Sequence, residues 1–196
     1  MSALEGKSKM CLNQIISNLR RGCVKRPEPP AISPPVLPVT IGTYTDVRSL
    51  RQAVYDTGFK FDVYSRTIFE KLIQLVPETT IKTKIVSLAQ LGLPGNNHRN
   101  EIFDAMLSHG IRLGPPEVLL YFILQYPDQL PRDRELYVAM EPVVDSPDTY
   151  GRIVAAVHGD SDYWEGWWII TDQGIPTERW YTVDLFLVCV DEDKHG

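Results

Sequence analysis

The segment that most constrains the fold is the run Pro-Pro-Glu-Val-Leu-Leu-Tyr-Phe-Ile-Leu-Gln-Tyr at residues 115–126. Proline is well tolerated in the first turn of a helix, and an acid such as Glu117 is favoured there by the helix dipole. The next residues, 118–123, are apolar on nearly every side of the predicted helix. Such a helix needs cover from more than one direction, so we expect it at the centre of a packed domain.

The region before this helix has helical periodicity, with apolar side chains recurring every three to four residues. Thr45 is suited to cap the first of these helices, and Asn97 or Asn100 to cap the last, because short polar side chains accept hydrogen bonds from the first turn. Residues 81–91 fit a strand nearly as well as a helix. We therefore predict a short extended piece at residues 39–43, followed by helices at residues 45–58, 63–75, 81–91 and 97–110.

From Leu136 the apolar period changes to two, which is typical of strands. Short segments rich in aspartate, glycine and serine separate the runs and have the composition of turns. The pattern predicts an α+β fold in which a helical N-terminal half packs on a C-terminal antiparallel four-stranded meander. The four predicted strands are residues 136–143, 153–158, 167–171 and 185–190.

Charge and proline content set the start of the chain apart. Residues 1–26 hold six Lys/Arg and one acid, a net charge of +5, whereas residues 128–196 hold five Lys/Arg and fifteen Asp/Glu, a net charge of -10. Six prolines fall within residues 27–38 and predict an extended, semi-rigid spacer. We divide the chain into a basic amphipathic arm (1–26), a Pro-rich linker (27–38) and one α+β domain (39–192).

The arm carries the pattern of a short amphipathic helix, with apolar residues at i, i+3, i+4 and i+7. Arg20 and Arg21 fall on its other faces. A helix of this length is not stable alone in water, so we expect its apolar stripe to pack on the main domain, a neighbouring copy, a second protein or a membrane surface. The stripe consists of Leu12, Ile15, Ile16 and Leu19.

Eight short motifs follow one another in a distinctive order in the second half of the chain. They are Leu91-Gly92-Leu93, Glu101-Ile102, Gly110-Ile111-Arg112-Leu113, Pro115-Pro116-Glu117-Val118, Tyr126-Pro127-Asp128-Gln129, Met140-Glu141-Pro142-Val143, Asp145-Ser146 and Arg179-Trp180. Residues 85–190 thereby resemble a widespread family of short bacterial proteins of uncharacterised function. The chain departs from the family pattern at Gly114, where cysteine is common, and at residues 183–185, where the family has Asp-Asp-Arg. The resemblance implies a related fold and brings no activity with it.

All four tryptophans, Trp164, Trp167, Trp168 and Trp180, lie in the last 33 residues. Alternation along a strand puts Trp167 and Trp168 on opposite faces, so we expect one in the core and the other against helices, solvent or a partner. Packing in the core is the commonest use of such residues, and anchoring an interface is the second. The acidic surroundings repel phosphate, so nucleic acid is not expected to bind except through residues 1–26.

Four polar residues are candidates for catalysis: Glu141, His158, Asp160 and Asp162. Carboxylates near a histidine can bind a divalent ion or act as general acids and bases. Acids beside glycine and serine are equally typical of a turn between strands, and the spacing matches no calcium loop. Glu141 also fits a structural ion pair. We predict no bound metal and no cofactor.

The cysteines Cys11, Cys23 and Cys189 are odd in number and form no C-x-x-C pair, which favours free thiols over a disulfide framework or a zinc site. No apolar run approaches the ~20 residues that a transmembrane helix needs. The N-terminus lacks the basic-then-apolar order of a secretory signal. We expect a cytoplasmic protein.

Three functions remain open. The leading hypothesis is a non-enzymatic protein-interaction module that binds through an aromatic sheet face, with the basic arm as a second contact. The charge split, the clustered tryptophans and the absence of sequence motifs for catalysis favour it. The alternatives are a small metal-assisted hydrolase or nuclease-like enzyme that uses the four polar candidates, and a self-assembling structural protein whose arm packs into a neighbouring copy.

Overall fold

The computed structural model describes residues 35–72, 76–93, 95–144, 151–160, 164–176, 179–181 and 184–190. The amphipathic arm and most of the Pro-rich linker lie outside these residues, and so does Asp162. Leu37 and Pro38, which the sequence assigns to the linker, belong to the first strand.

Four helices and ten strands make up the described part of the chain. The helices are α1 (Val47–Asp56), α2 (Val63–Leu72), α3 (Arg99–Ser108) and α4 (Val118–Gln125). The strands are β1 (Leu37–Ile41), β2 (Lys60–Phe61), β3 (Thr79–Ser87), β4 (Asn97–His98), β5 (Ile111–Arg112), β6 (Leu136–Val138), β7 (Arg152–Gly159), β8 (Gly166–Gln173), β9 (Arg179–Trp180) and β10 (Leu185–Val190). Two short 3-10 turns lie at Ala89–Leu91 and Pro127–Gln129.

Eight of the strands form one mixed sheet in the order β1-β3-β10-β6-β7-β8-β2, with β5 also paired to β10. Most neighbours are antiparallel, but β6 runs parallel to β10 and β2 runs parallel to β8. The short strands β4 and β9 form a separate antiparallel pair. The last strand in sequence, β10, therefore lies inside the sheet, between β3 on one side and β6 and β5 on the other.

The predicted fold, a helical N-terminal half on an antiparallel four-stranded meander, is wrong. The N-terminal half supplies β1, β2 and β3 to the sheet, which is mixed and has eight strands. The predicted helix at residues 81–91 is mostly the strand Thr79–Ser87, in which β-branched residues dominate and favour extended backbone. A local period does not reveal pairing between distant segments, such as that of Leu185 with Ser87.

The other helices are confirmed; α2 begins at Val63 as predicted, and the capping residues of α1 and α3 differ from the prediction. The N-cap of α1 is Asp46 rather than Thr45: Asp46 Oδ1 accepts the Ser49 N–H at 2.8 Å. The N-cap of α3 is His98 rather than Asn97 or Asn100, and Glu101 accepts the His98 N–H at 2.8 Å. In both cases a carboxylate satisfies a backbone N–H at the start of the helix.

Helix α4 is the central helix of the domain, as the sequence predicts. Every residue from Val118 to Ile123 is at most 1% exposed. The helix packs on β1, on β7 and on α1, and α2 lies next to α1 and against β8. Full burial of one large apolar side chain stabilises a fold by about 1.5–3 kcal/mol, so this single turn-and-a-half of helix is a major part of the core.

Among the described residues, no helix combines the length and the apolar character needed to cross a bilayer.

Candidate functional site: the tryptophan surface

Three of the four tryptophans meet where β7 turns into β8. The two strands pair along their whole length, from Arg152 opposite Gln173 to Gly159 opposite Gly166. Trp167 and Trp168 follow the turn directly and Trp164 lies within it. We call Trp164, Trp167 and Trp168, together with Phe59 and Lys60 from the neighbouring β2 region, the tryptophan surface.

On the face of the sheet that also carries Ile169, Trp167 is held between two rings. It stacks on Phe59 with ring centroids 5.4 Å apart and planes 20° apart. His158, its partner across the strands, meets it edge-on at 5.0 Å. Phe59 is 3% exposed, whereas Trp167 is half-buried, so one side of the indole has a rigid backing and part of the ring meets solvent.

On the opposite face, Trp168 packs against Trp164 with ring centroids 4.7 Å apart. The ammonium of Lys60 lies 5.3 Å from the centroid of the Trp168 ring. The same ammonium donates a hydrogen bond of 2.9 Å to the Glu165 carbonyl. A cation over an indole and a hydrogen bond to the turn together fix the position of both tryptophans.

Gly159 determines how closely the turn folds back on the sheet. A Cβ atom at this position would lie 1.6 Å from the Trp164 carbonyl oxygen, so only glycine allows the observed approach. Its partner Gly166 differs, because it has φ +84° and open space where a Cβ would be. The close approach at Gly159 is what brings Trp164 over Trp168.

Exposed carboxylates flank these rings. Asp160 follows Gly159 at the end of β7, and Glu165 precedes Gly166 at the start of β8. Lys60 is the exposed base within the tryptophan surface, and its ammonium is already committed to Trp168 and the turn. The described geometry thus combines flat, half-buried indoles with accessible negative charge.

Trp180 has a different role from the other three tryptophans. It is 2% exposed and meets Tyr137 edge-on at 4.4 Å, with Phe186 at 5.3 Å. Tyr137 and Phe186 are themselves paired between β6 and β10. Trp180 therefore covers the middle of the sheet and belongs to the core.

The structure separates the polar residues considered for catalysis. Glu141 is exposed and lies two residues before Val143, which bridges to Arg152 at the start of β7. His158 and Asp160 lie at the other end of β7, about 20 Å away at ~3.3 Å per residue. Within the described part of the chain, no group of three or more His, Cys, Asp or Glu side chains is arranged to hold a metal ion.

Two further carboxyl groups have raised pKa values but lie in structural settings. Burial raises the pKa of Glu117, which is 4% exposed at the start of α4. Burial also raises the pKa of Asp62, whose Oδ1 accepts the Ser65 N–H at 2.5 Å at the start of α2. Glu117 lies at the start of α4, and Asp62 caps α2 while its backbone N–H donates to the Ile169 carbonyl of β8, so each has a structural role.

Phe59 and Lys60 are the part of the surface that sequence reasoning missed. They follow Gly58, which ends a predicted helix, and nothing local marks them as a strand. Only the parallel pairing of Lys60 with Trp168 and of Phe61 with Ile169 brings them to the tryptophans.

The tryptophan surface combines features that are common at interfaces, but its geometry alone assigns no family. The resemblance of residues 85–190 to an uncharacterised bacterial family stays a prediction. No family model matches the chain, and no curated protein or solved structure does either.

Proposed function

We propose that this protein is a non-enzymatic binding module whose partner is a protein segment that carries both apolar and basic side chains. The observation that carries the proposal is the pair of half-buried indoles of Trp164 and Trp168, which pack together on one face of the sheet next to exposed Asp160 and Glu165, while Trp167 is held on the opposite face.

The aromatic part of the surface supports binding by shape. Tryptophan is enriched among the residues that contribute most to interface affinity, because a large ring loses little conformational freedom on binding. Trp167 is backed by Phe59, and Trp168 is backed by Trp164. A partner therefore does not have to order these rings, and the entropic cost of association is lower.

The charged part of the surface supports a basic partner. Asp160 and Glu165 attract lysine and arginine, and an exposed indole face also attracts cations. Residues 128–196 carry a net charge of -10, which adds a long-range attraction for basic segments. The same charge disfavours phosphate, so this surface is not proposed to bind nucleic acid.

A cytoplasmic location is part of the proposal. Cys189 is a buried free cysteine, and burial raises the pKa of its thiol to about 11. The thiol stays protonated and unreactive at neutral pH, so the support for this location is the odd number of cysteines, which does not suit a disulfide framework. Assembly of copies through the basic arm is a second proposal from the sequence. The enzyme hypothesis loses support because Glu141 lies far from His158.

Three synthetic peptides of equal length test the proposal. The first is an amphipathic helix of leucine and lysine, the second replaces each lysine with glutamate, and the third replaces each leucine with serine. Binding is measured by calorimetry and by tryptophan emission, which reports on this region because every tryptophan lies between residues 164 and 180. We expect only the leucine-lysine peptide to bind well.

The variant Trp168→Ala should weaken binding of that peptide by about tenfold or more, as the loss of an anchoring aromatic usually does. Tyr55→Ala, which removes an exposed aromatic from α1, is the matched control and should leave the affinity unchanged. Equal binding of the leucine-glutamate peptide, or no binding of any peptide, would contradict the proposal.

A further inference from the structure

We infer that the cleft between α1 and α2 is a second binding site, which takes the phosphate group of a phosphate monoester. The cleft shares no residue with the tryptophan surface. The inference goes beyond the proposed function, because the ligand has the opposite charge to the basic segment proposed for the tryptophan surface.

The cleft is open to solvent and has a volume of about 570 Å³. This volume lies in the range of ~300–1,000 Å³ that is usual for small-ligand sites, but most such sites have an apolar lining. Here five of the six lining residues are polar or charged, so a charged ligand fits the cleft better than an apolar one. The lining residues are Asp46, Val47, Arg48, Ser49, Arg51 and Glu70.

Three guanidinium groups converge on one carboxylate at this cleft. Arg51 on α1 donates a hydrogen bond from Nη1 to Oε1 of Glu70 on α2 and thereby joins the two helices. This hydrogen bond lowers the pKa of Glu70, and the nearby charges of Arg66 and Arg48 lower it further. Arg48 lies one turn before Arg51 on α1, and Arg66 lies one turn before Glu70 on α2. The arginines of both helices therefore face the same small region.

The two carboxylates at the cleft are already engaged. Asp46 is the N-cap of α1: its Oδ1 accepts the Ser49 N–H at 2.8 Å, and its Oδ2 accepts the Ser49 hydroxyl at 2.7 Å. Glu70 neutralises the charge of Arg51. Neither acid is left to neutralise the remaining two arginines.

Arg48 and Arg66 are both exposed, and within the described part of the chain neither forms an ion pair. A phosphate monoester carries a charge of about -1.5 to -2 at neutral pH, so a single group can neutralise both arginines, whereas one carboxylate would neutralise only one. The planar guanidinium also matches the geometry of phosphate oxygens and binds two of them at once. The cleft lies in residues 46–70, outside the acidic segment 128–196.

Titration of the full chain, followed by NMR of the arginine side-chain N–H groups, tests the site. The probes are glycerol phosphate and a glycine-serine peptide with one phosphoserine. We expect the signals of Arg48 and Arg66 to shift with both probes. The double variant Arg48→Gln with Arg66→Gln should weaken binding about tenfold or more, because it removes two charge-assisted contacts. The matched control Arg132→Gln removes an exposed arginine that does not line the cleft, and should bind as the wild type does.

The pH dependence of binding reports the charge of the bound group. A phosphate monoester loses its second proton at a pH of about 6, so the affinity should rise several-fold between about pH 5 and pH 7.5. The pKa values of Asp46 and Glu70 are both lowered, so the two acids of the cleft stay ionised over this range. The change therefore reports the ligand and not the cleft.

A comparison of the two probes identifies the source of the phosphate. Equal affinity supports a free phosphorylated small molecule as the ligand, and tighter binding of the peptide supports a phosphorylated protein segment. A third peptide, with aspartate in place of phosphoserine, should bind at least several-fold more weakly. The inference is overturned by unshifted signals of Arg48 and Arg66, by equal binding of the aspartate peptide, or by an Arg132→Gln variant that loses as much affinity as the double variant.

Discussion

The side-chain amide of Gln125 forms two hydrogen bonds with the backbone of Thr40. The Thr40 N–H donates to Gln125 Oε1 at 3.0 Å, and Gln125 Nε2 donates to the Thr40 carbonyl at 2.8 Å. Pro38 has no N–H, and its carbonyl accepts the Tyr126 hydroxyl at 2.6 Å. These side chains at the end of α4 take the place of a neighbouring strand, so the outer edge of β1 offers little for another chain to pair with.

Gln125→Leu should expose this edge. We expect the free energy of unfolding to fall by about 1–3 kcal/mol, because two hydrogen bonds are lost and each contributes ~0.5–1.5 kcal/mol. We also expect self-association at high protein concentration, measured by light scattering after size exclusion. Gln129→Leu, which adds the same apolar side chain at a nearby exposed site, should leave both quantities unchanged. Similar association of the two variants would show that added surface hydrophobicity, rather than the opened edge, is responsible.

Gly159→Ala should disrupt the tryptophan surface without changing a tryptophan. The new Cβ would clash with the Trp164 carbonyl, so the turn has to move away and Trp164 separates from Trp168. We expect loss of the exciton signal of the indole pair in circular dichroism and a destabilisation of about 1–3 kcal/mol, which is usual when an added atom forces the surrounding structure to move.

Gly166→Ala is the control for that variant. It pays a backbone penalty of about 1 kcal/mol because of the positive φ, but no atom lies within 4 Å of the added Cβ. The exciton signal should therefore remain. If both alanine variants kept the signal, the close approach at Gly159 would not be what holds the indole pair together.

Lys60→Met should change the stability of the fold and the affinity for the leucine-lysine peptide in opposite directions. The substitution keeps an apolar side chain of similar length but removes the cation over Trp168 and the hydrogen bond to Glu165. We expect stability to fall by about 0.5–1 kcal/mol, the usual contribution of an exposed cation–π contact. Affinity for the leucine-lysine peptide should rise a few-fold at low salt, because a like charge has left the surface. A weaker affinity would indicate that the positioning of Trp168 and Trp164 by Lys60 matters more for binding than the removed like charge.

The pH dependence of stability should reveal the buried carboxyl group of Glu117. Because burial raises the pKa of Glu117 above its ordinary value of 4.5, the native state holds this proton at a pH where the unfolded chain has lost it. The free energy of unfolding therefore falls as the pH rises from 4.5 through the native pKa. Glu117→Gln should be more stable than the wild type at pH 7, and the difference should shrink toward pH 4 in denaturant titrations.

Glu101→Gln provides a control of opposite sign. The His98 N–H and the Asn97 side chain lower the pKa of Glu101, so its contribution is present at neutral pH and is lost as the pH falls below 4.5. The variant should be slightly less stable than the wild type at pH 7 and equal to it in acid. A Glu117→Gln variant that followed the same course would show that Glu117 is stabilised, rather than strained, by its surroundings.

Local chemistry predicted much of the secondary structure and little of the pairing. The apolar run of α4 leaves no face for solvent, and that property alone places it in the core. Residues 79–87 were harder, because isoleucine and valine occur in both helices and strands. These residues form a strand rather than a helix because they pair with β1 on one side and β10 on the other, and both strands are distant in sequence.

The candidate site could be predicted only in part, because it also depends on contacts between segments that are distant in sequence. The cluster of tryptophans is evident, but its division into core and surface depends on which rings meet them. Trp180 is buried because Tyr137 and Phe186 lie beneath it, and Trp168 is positioned by Lys60, more than a hundred residues earlier. Composition does not report such contacts between distant segments.

The central position of β10 has a consequence for synthesis of the protein on the ribosome. β1 pairs with β3, whereas β6 pairs with β7 and β7 with β8, and these two groups share no strand until Leu185–Val190 has emerged to join them. A nascent chain that has not yet reached Leu185 keeps apolar surface of both groups uncovered, since neither can close around α4 without the other. The core can therefore close only once Leu185–Val190 has emerged and paired, and until then chaperones that shield exposed strands should protect the two groups.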